Sequence, residues 1–98
     1  IDWAQFRACD WVCCGFHEYF WPGVWVGHLG AMKESRGKTL EPFKTILRSF
    51  AAEVGAERII GLVSEKNRAI LALCRRAGFT IDGKLPLAEP AILIGWRP

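Results

Sequence analysis

The chain has 98 residues, 51% of them hydrophobic and 23% charged, with a formal net charge of +3. That balance excludes a disordered chain, and the length suits one hydrophobic core, so residues 1–98 are read as a single domain. No apolar run reaches a membrane span and the basic residues are scattered without a stacking motif, so neither a membrane nor a nucleic acid is an expected partner; the mild positive charge suits an anionic ligand.

Residues 1–23 are the least legible. Trp3, Phe6 and Ala8 fit either a short helix or a strand, whereas the aromatic and small apolar run Trp11–Phe20 favours a strand. Trp21-Pro22-Gly23 marks a turn. Trp11, Trp21 and Trp25 lie within fifteen residues, dense enough to imply core or an interface. Cys9, Cys13, Cys14 and Cys74 lack the spacing of a disulfide framework, and reduced thiols in a cytoplasmic setting are expected. Grouping the first three with His17 and His28 as zinc ligands matches no common spacing.

Val24–Met32 reads as a strand whose Gly27 and Gly30 suggest a bulge or the close approach of a ligand. Lys33–Lys38 is a polar loop. Phe43, Ile46, Leu47, Phe50, Ala51 and Val54 then recur at helical spacing, with Pro42 in the first turn and Gly55 at the end. Arg58–Val63 is a short apolar strand, and Ser64 or Asn67 is placed to cap a helix carrying Ile70, Leu73, Cys74 and Ala77, which Gly78 stops. Phe79–Ile81 and Ala91–Trp96 read as strands separated by a loop holding Pro86 and Pro90. The alternation predicts an α/β sandwich with a right-handed parallel crossover from the Val24–Met32 strand to the Arg58–Val63 strand.

A strand feeding a polar glycine loop and then a helix builds an anion site, because the first helical amides lack partners and the dipole is positive there. Gly37-Lys38-Thr39 copies the end of a Walker A loop, but Met32 stands where that pattern needs its first glycine. Another family matches better. Met32-Lys33-Glu34-Ser35-Arg36-Gly37-Lys38 resembles the approach to the pyrophosphate loop of GNAT-type N-acyltransferases, whose signature is Arg/Gln-x-x-Gly-x-Gly/Ala. Asn67-Arg68-Ala69-Ile70, with Leu73 and Arg76-Ala77-Gly78-Phe79, resembles that family's Asn-x-x-Ala…Gly-Phe helix.

The resemblance covers roughly residues 24–96. It implies an N-terminally trimmed GNAT-like mixed sheet with splayed parallel strands flanked by helices, acetyl-CoA as a substrate, and acetyl transfer to an amine by direct attack. It also implies site residues. Leu29, Gly30 and Met32 would hold the pantetheine arm, Arg36, Gly37, Lys38 and Thr39 the pyrophosphate, and Asn67 the pantetheine amide. His28 is the candidate base, with packing as its alternative role, and His17 and Glu18 are surface or acceptor-side residues. Cys74 stands where many members carry a tyrosine that protonates the leaving thiolate; a small core residue is the other reading.

Two positions depart from the signature: Thr39 replaces a glycine, and Glu41 puts a carboxylate where a small residue belongs. The alternative is a catalytically degenerate module of the same fold, for example in a phage particle, contacting an assembly partner or another copy through the tryptophan-rich start.

Overall fold

The structure, a computed structural model, describes residues 5–19, 21–32 and 37–98. Six strands and two helices follow in the order β1 (Gln5–Cys9), β2 (Val12–Glu18), β3 (Val24–Ala31), α1 (Leu40–Val54), β4 (Arg58–Ser64), α2 (Arg68–Arg76), β5 (Thr80–Leu85) and β6 (Ala91–Trp96). The sheet order is β1-β2-β3-β4-β6-β5. Among the described residues only β3 and β4 pair in parallel, as predicted for these two strands; the other ladders are antiparallel.

Of the ambiguous first stretch, Phe6 and Ala8 belong to a strand, paired to β2 from Gln5–Phe16 to Cys9–Val12, and Trp3 lies outside the described residues. Trp11, read from sequence as part of a strand, belongs to the turn instead. The hairpin turns on Asp10 and Trp11, which both adopt positive φ, at 46° and 69°. A two-residue loop between right-twisted strands favours that left-handed pair of conformations.

Both helices cover one face of the sheet. On that face Phe16 stacks on Phe50 of α1 with ring centroids 4.0 Å apart, and Trp25 meets the same ring edge-on at 5.0 Å. Arg7 of β1 places its guanidinium 5.4 Å from the Phe50 centroid and pairs with Glu53. Phe43 of α1 stacks on Phe79 beyond α2 at 6.0 Å, and the Trp96 indole N–H donates to the Ala77 carbonyl at 3.2 Å. The aromatic residues and Ala77 form one buried cluster with Ile46, Leu47, Ile59, Cys74 and Ile94. Of the clustered tryptophans, Trp25 is core, whereas Trp11 and Trp21 are exposed.

The helix boundaries follow their local chemistry. Gly55 caps α1 at φ 67°, a conformation that glycine adopts without a Cβ clash. Asn67, rather than Ser64, caps α2, its Oδ1 accepting from the Ile70 amide at 3.2 Å. The opposite face of the sheet carries Phe6, His17, His28 and Leu62, with Phe6 71% and Leu62 56% exposed. Here Arg58 reaches across Gly95 to pair with Asp82, which also accepts from the Thr80 hydroxyl at 2.8 Å.

Candidate active site

The parallel ladder is short. β3 pairs with β4 at Val24–Arg58, Trp25–Ile59 and Val26–Ile60, and there the pairing stops. Beyond it, β3 continues against β2 as far as Val12–Ala31, while β4 continues against β6 as far as Ser64–Ala91. Each strand therefore keeps its outer partner and loses its inner one. The splay of the parallel strands that the family resemblance implies is present.

A cavity of about 280 Å³ fills the opening. From the helix side it is lined by Cys14, Phe16, Leu29, Phe43, Leu47 and Cys74, and at its α2 end by Ser64, Asn67 and Ile70. His28, Ile60 and Leu62 line it from the uncovered face, so the gap passes through the sheet. Glycines keep it open. A Cβ on Gly27 would come within 3.3 Å of Ile59 and Phe16, and one on Gly61 would lie 3.6 Å from the Gly27 carbonyl oxygen.

The structure brings His28, Leu29, Asn67 and Cys74 together around this cavity. Gly30 lies farther along β3 and Met32 just beyond its end: a Cβ on Gly30 would press on Cys13 Sγ at 3.2 Å, and the Met32 amide donates to the Trp11 carbonyl at 2.9 Å. Gly37 and Lys38 border a separate cleft of about 530 Å³ with Asp10, Trp11, Leu40, Glu41 and Pro42. The first turn of α1 stands between the two clefts, with Phe43 and Leu47 on one side and Leu40 to Pro42 on the other. Thr39 starts the helix, its carbonyl accepting from the Phe43 amide at 3.0 Å. Arg36, with Lys33, Glu34 and Ser35, lies outside the described residues.

The Glu41 carboxylate turns outward. It sits 3.5 Å from Lys44 Nζ with its side chain 73% exposed, so it leans along the helix surface. Sequence reasoning missed Cys14, Phe43 and Leu47 as cavity residues. Their apolar periodicity marked a buried face, but only the register of β2 and the tilt of α1 turn that face toward the splay.

Electrostatics divide the lining. Burial pushes the Cys74 thiol up to about 11, and burial with the neighbouring Cys13 and Cys74 pushes the Cys14 thiol up to about 12. Both stay protonated near neutrality. His17 stacks on His28 with centroids 5.4 Å apart and planes at 23°. Its pKa is shifted below the ordinary 6.5 by partial desolvation first and by the His28 charge second, against a hydrogen bond with the Glu18 backbone. Among the described residues no group of three or more His, Cys, Asp or Glu is arranged to hold a metal ion, and no helix is long and apolar enough to cross a membrane.

A mixed sheet with one short parallel ladder, opened over a helix start and backed by two helices, is the GNAT acetyltransferase fold. Solved structures with that architecture superpose well on the chain. A GNAT-family acetyltransferase from Bacillus anthracis matches with a TM-score of 0.76 at 15% identity, over 88% of this chain and 57% of its own. The ribosomal-protein-S5-alanine acetyltransferase of Vibrio fischeri matches with a TM-score of 0.79 at 15% identity, over 99% and 66%. Nourseothricin acetyltransferase gives 0.72 at 19%, over 89% and 57%. The chain thus spans roughly three fifths of the length of these structures. No protein-family model matches the sequence, and no curated protein matches it. At these identities the likeness establishes the fold.

Proposed function

We propose that the protein is an acyl-CoA-dependent N-acyltransferase that takes acetyl-CoA as donor and transfers the acetyl group to an amine by direct attack. The observation that carries this reading is the cavity between β3 and β4, which joins the Asn67 end of α2 to His28 on the open face. A pantetheine arm is a slender chain with two amides, and the inner edges of β3 beyond Val26 and of β4 beyond Ile60 carry no rungs to each other. An arm laid between them would pair with those edges as an added strand does. Asn67 stands at the α2 end of the same cavity; the pyrophosphate is assigned to positions 36–39 by the resemblance, of which Gly37 and Lys38 border the second cleft.

In this reading His28 removes a proton from the acceptor ammonium, the amine nitrogen attacks the thioester carbonyl carbon, and the carbon–sulfur bond breaks as the amide forms. Backbone amides of β3 are the donors nearest to hand for the oxyanion. Cys74 is a poor proton donor. Moving its proton to a leaving thiolate of ordinary basicity, near 8.5, is uphill by about 2–3 pKa units, or roughly 3–4 kcal/mol. Its thiol serves as a weak hydrogen-bond donor inside the cavity, and the thiolate is protonated from solvent.

Titration calorimetry with acetyl-CoA tests the reading. Saturable binding that Arg36→Ala weakens and Glu41→Gln strengthens supports it, whereas a chain that ignores acetyl-CoA up to millimolar concentration does not carry this activity. One observation favours the alternative, a module that keeps the fold without turnover: Phe6 and Leu62 leave exposed apolar side chains on the uncovered face, which suits a protein partner. Binding without thiol release from acetyl-CoA in the presence of amines is the outcome that selects it.

A further inference from the structure

We infer that the second cleft, between the β1–β2 turn and the start of α1, holds the adenosine end of acetyl-CoA, with the Trp11 indole as the platform on which the adenine ring stacks. The inference rests on the N-acyltransferase reading and names the residue that grips the donor at the end away from the thioester.

Trp11 is an unusual residue for its place. It sits at φ 69° in a two-residue turn, a conformation that glycine and asparagine take more easily than a bulky side chain. Its large apolar ring is 60% exposed. Local folding calls for neither property. The turn itself is firmly held: the Cys9–Val12 and Val12–Ala31 rungs flank it, and the Met32 amide donates to the Trp11 carbonyl at 2.9 Å. The indole is thereby fixed on a rigid hairpin at the end of β3.

The cleft it borders, about 530 Å³, falls within the range of about 300–1,000 Å³ usual for small-molecule sites. Trp11 lines it from the turn, and Leu40 and Pro42 line it from the first turn of α1. A flat aromatic surface with aliphatic carbon from a second element suits a planar guest.

Charge decides which part of the ligand goes where. Lys38 brings an ammonium that has no ion-pair partner among the described residues. Asp10 and Glu41 bring carboxylates, and Glu41 is engaged by Lys44. A carboxylate repels a bare phosphate at the Asp10 end, yet it accepts hydrogen bonds from ribose hydroxyls or from the exocyclic amine of adenine. Phosphate therefore faces Lys38, and the nucleoside faces Trp11 and Asp10. The order matches the molecule. With the pantetheine arm between β3 and β4, the pyrophosphate crosses the first turn of α1, which separates the two clefts, and the nucleoside comes next along the chain.

Calorimetry on the full chain with acetyl-CoA and with S-acetylpantetheine, a donor that lacks the nucleotide, tests this. Trp11→Gly suits the backbone of the turn, so the variant should melt no lower than the wild type. It should bind acetyl-CoA about tenfold more weakly, the loss expected when a base gives up an aromatic partner, and bind S-acetylpantetheine as the wild type does. Trp11→Phe keeps a ring and should recover most of the affinity. Unchanged acetyl-CoA affinity in Trp11→Gly, or an equal loss for both donors, overturns the inference and leaves the N-acyltransferase reading standing. A phenylalanine variant as weak as the glycine one does the same. A wild-type protein that binds neither donor overturns that reading instead, and the inference with it.

Discussion

Val26 and Ile60 form the last rung between β3 and β4, and the sheet opens immediately beyond them. Every functional expectation for this molecule depends on that gap being occupied by something other than its own backbone.

Gly61 tests the gap most directly. A Cβ there would make ordinary contacts at 3.6 Å with the Gly27 carbonyl and with Ile94, so Gly61→Ala should fold normally. The added methyl narrows the slot, and acetyl-CoA affinity should fall about tenfold, or ~1.4 kcal/mol. Calorimetry beside a thermal melt separates the effects; a lower Tm with unchanged affinity would place the ligand elsewhere.

Phe50 anchors the covered face. It contacts Phe16, Trp25 and the Arg7 guanidinium together, and its side chain is 1% exposed. Phe50→Ala should cost about 3–5 kcal/mol, a large share of the stability of so small a domain. Urea unfolding measures this, and a loss under ~1 kcal/mol would mean that the cluster collapses to fill the space.

Gly95 has a different reason to be glycine. The Arg58–Asp82 pair crosses directly over it, and a Cβ would overlap both side chains. Gly95→Ala should therefore lower Tm more than Asp82→Ala does. The double substitution should recover part of the loss, since removing the carboxylate makes room for the methyl. Strict additivity of the two changes would show that they do not share that space.

The buried thiols predict an alkaline limit. Cys14 and Cys74 are held protonated up to about 12 and about 11, against an ordinary 9.0. A group whose pKa is raised by folding stabilises the native state in full below the unfolded value and loses that contribution as pH climbs toward the folded one. Their share of stability should thus be constant up to about pH 9 and decline above it, and Cys14→Ala should show a shallower decline than the wild type in melts across that range. Equal slopes would mean that Cys14 ionises as easily folded as unfolded. The same burial predicts that the exposed Cys13 reacts with a thiol reagent first.

Much of the fold was legible because its signals are local. The stripe from Phe43 to Val54, Gly55 beyond it and the Asn67 cap each settle within one or two turns of chain, and the structure follows them. β1 was not legible, because its apolar Phe6 faces outward and its half-buried Arg7 faces the helices, reversing the pattern that marks an inner face. Trp11 misled for a related reason: an indole favours strands, yet here it takes a left-handed turn that sequence rules assign to glycine or asparagine. The site was half legible. Gly27, His28 and Asn67 announce themselves by type and spacing, whereas the contact between His17 and His28 exists only through the register of β2 on β3. Register is a long-range property.

The single parallel ladder also has a mechanical meaning. It joins two three-stranded antiparallel blocks, β1-β2-β3 and β4-β6-β5, and among the described residues no other ladder of the sheet bridges them. Such a seam can breathe like a book spine while each cover stays flat, with the helices as its binding tape. A guest chain lying in the crease would stitch the covers together, so occupancy should show up as slower amide exchange along residues 24–26 and at Arg58, which do not line the cavity.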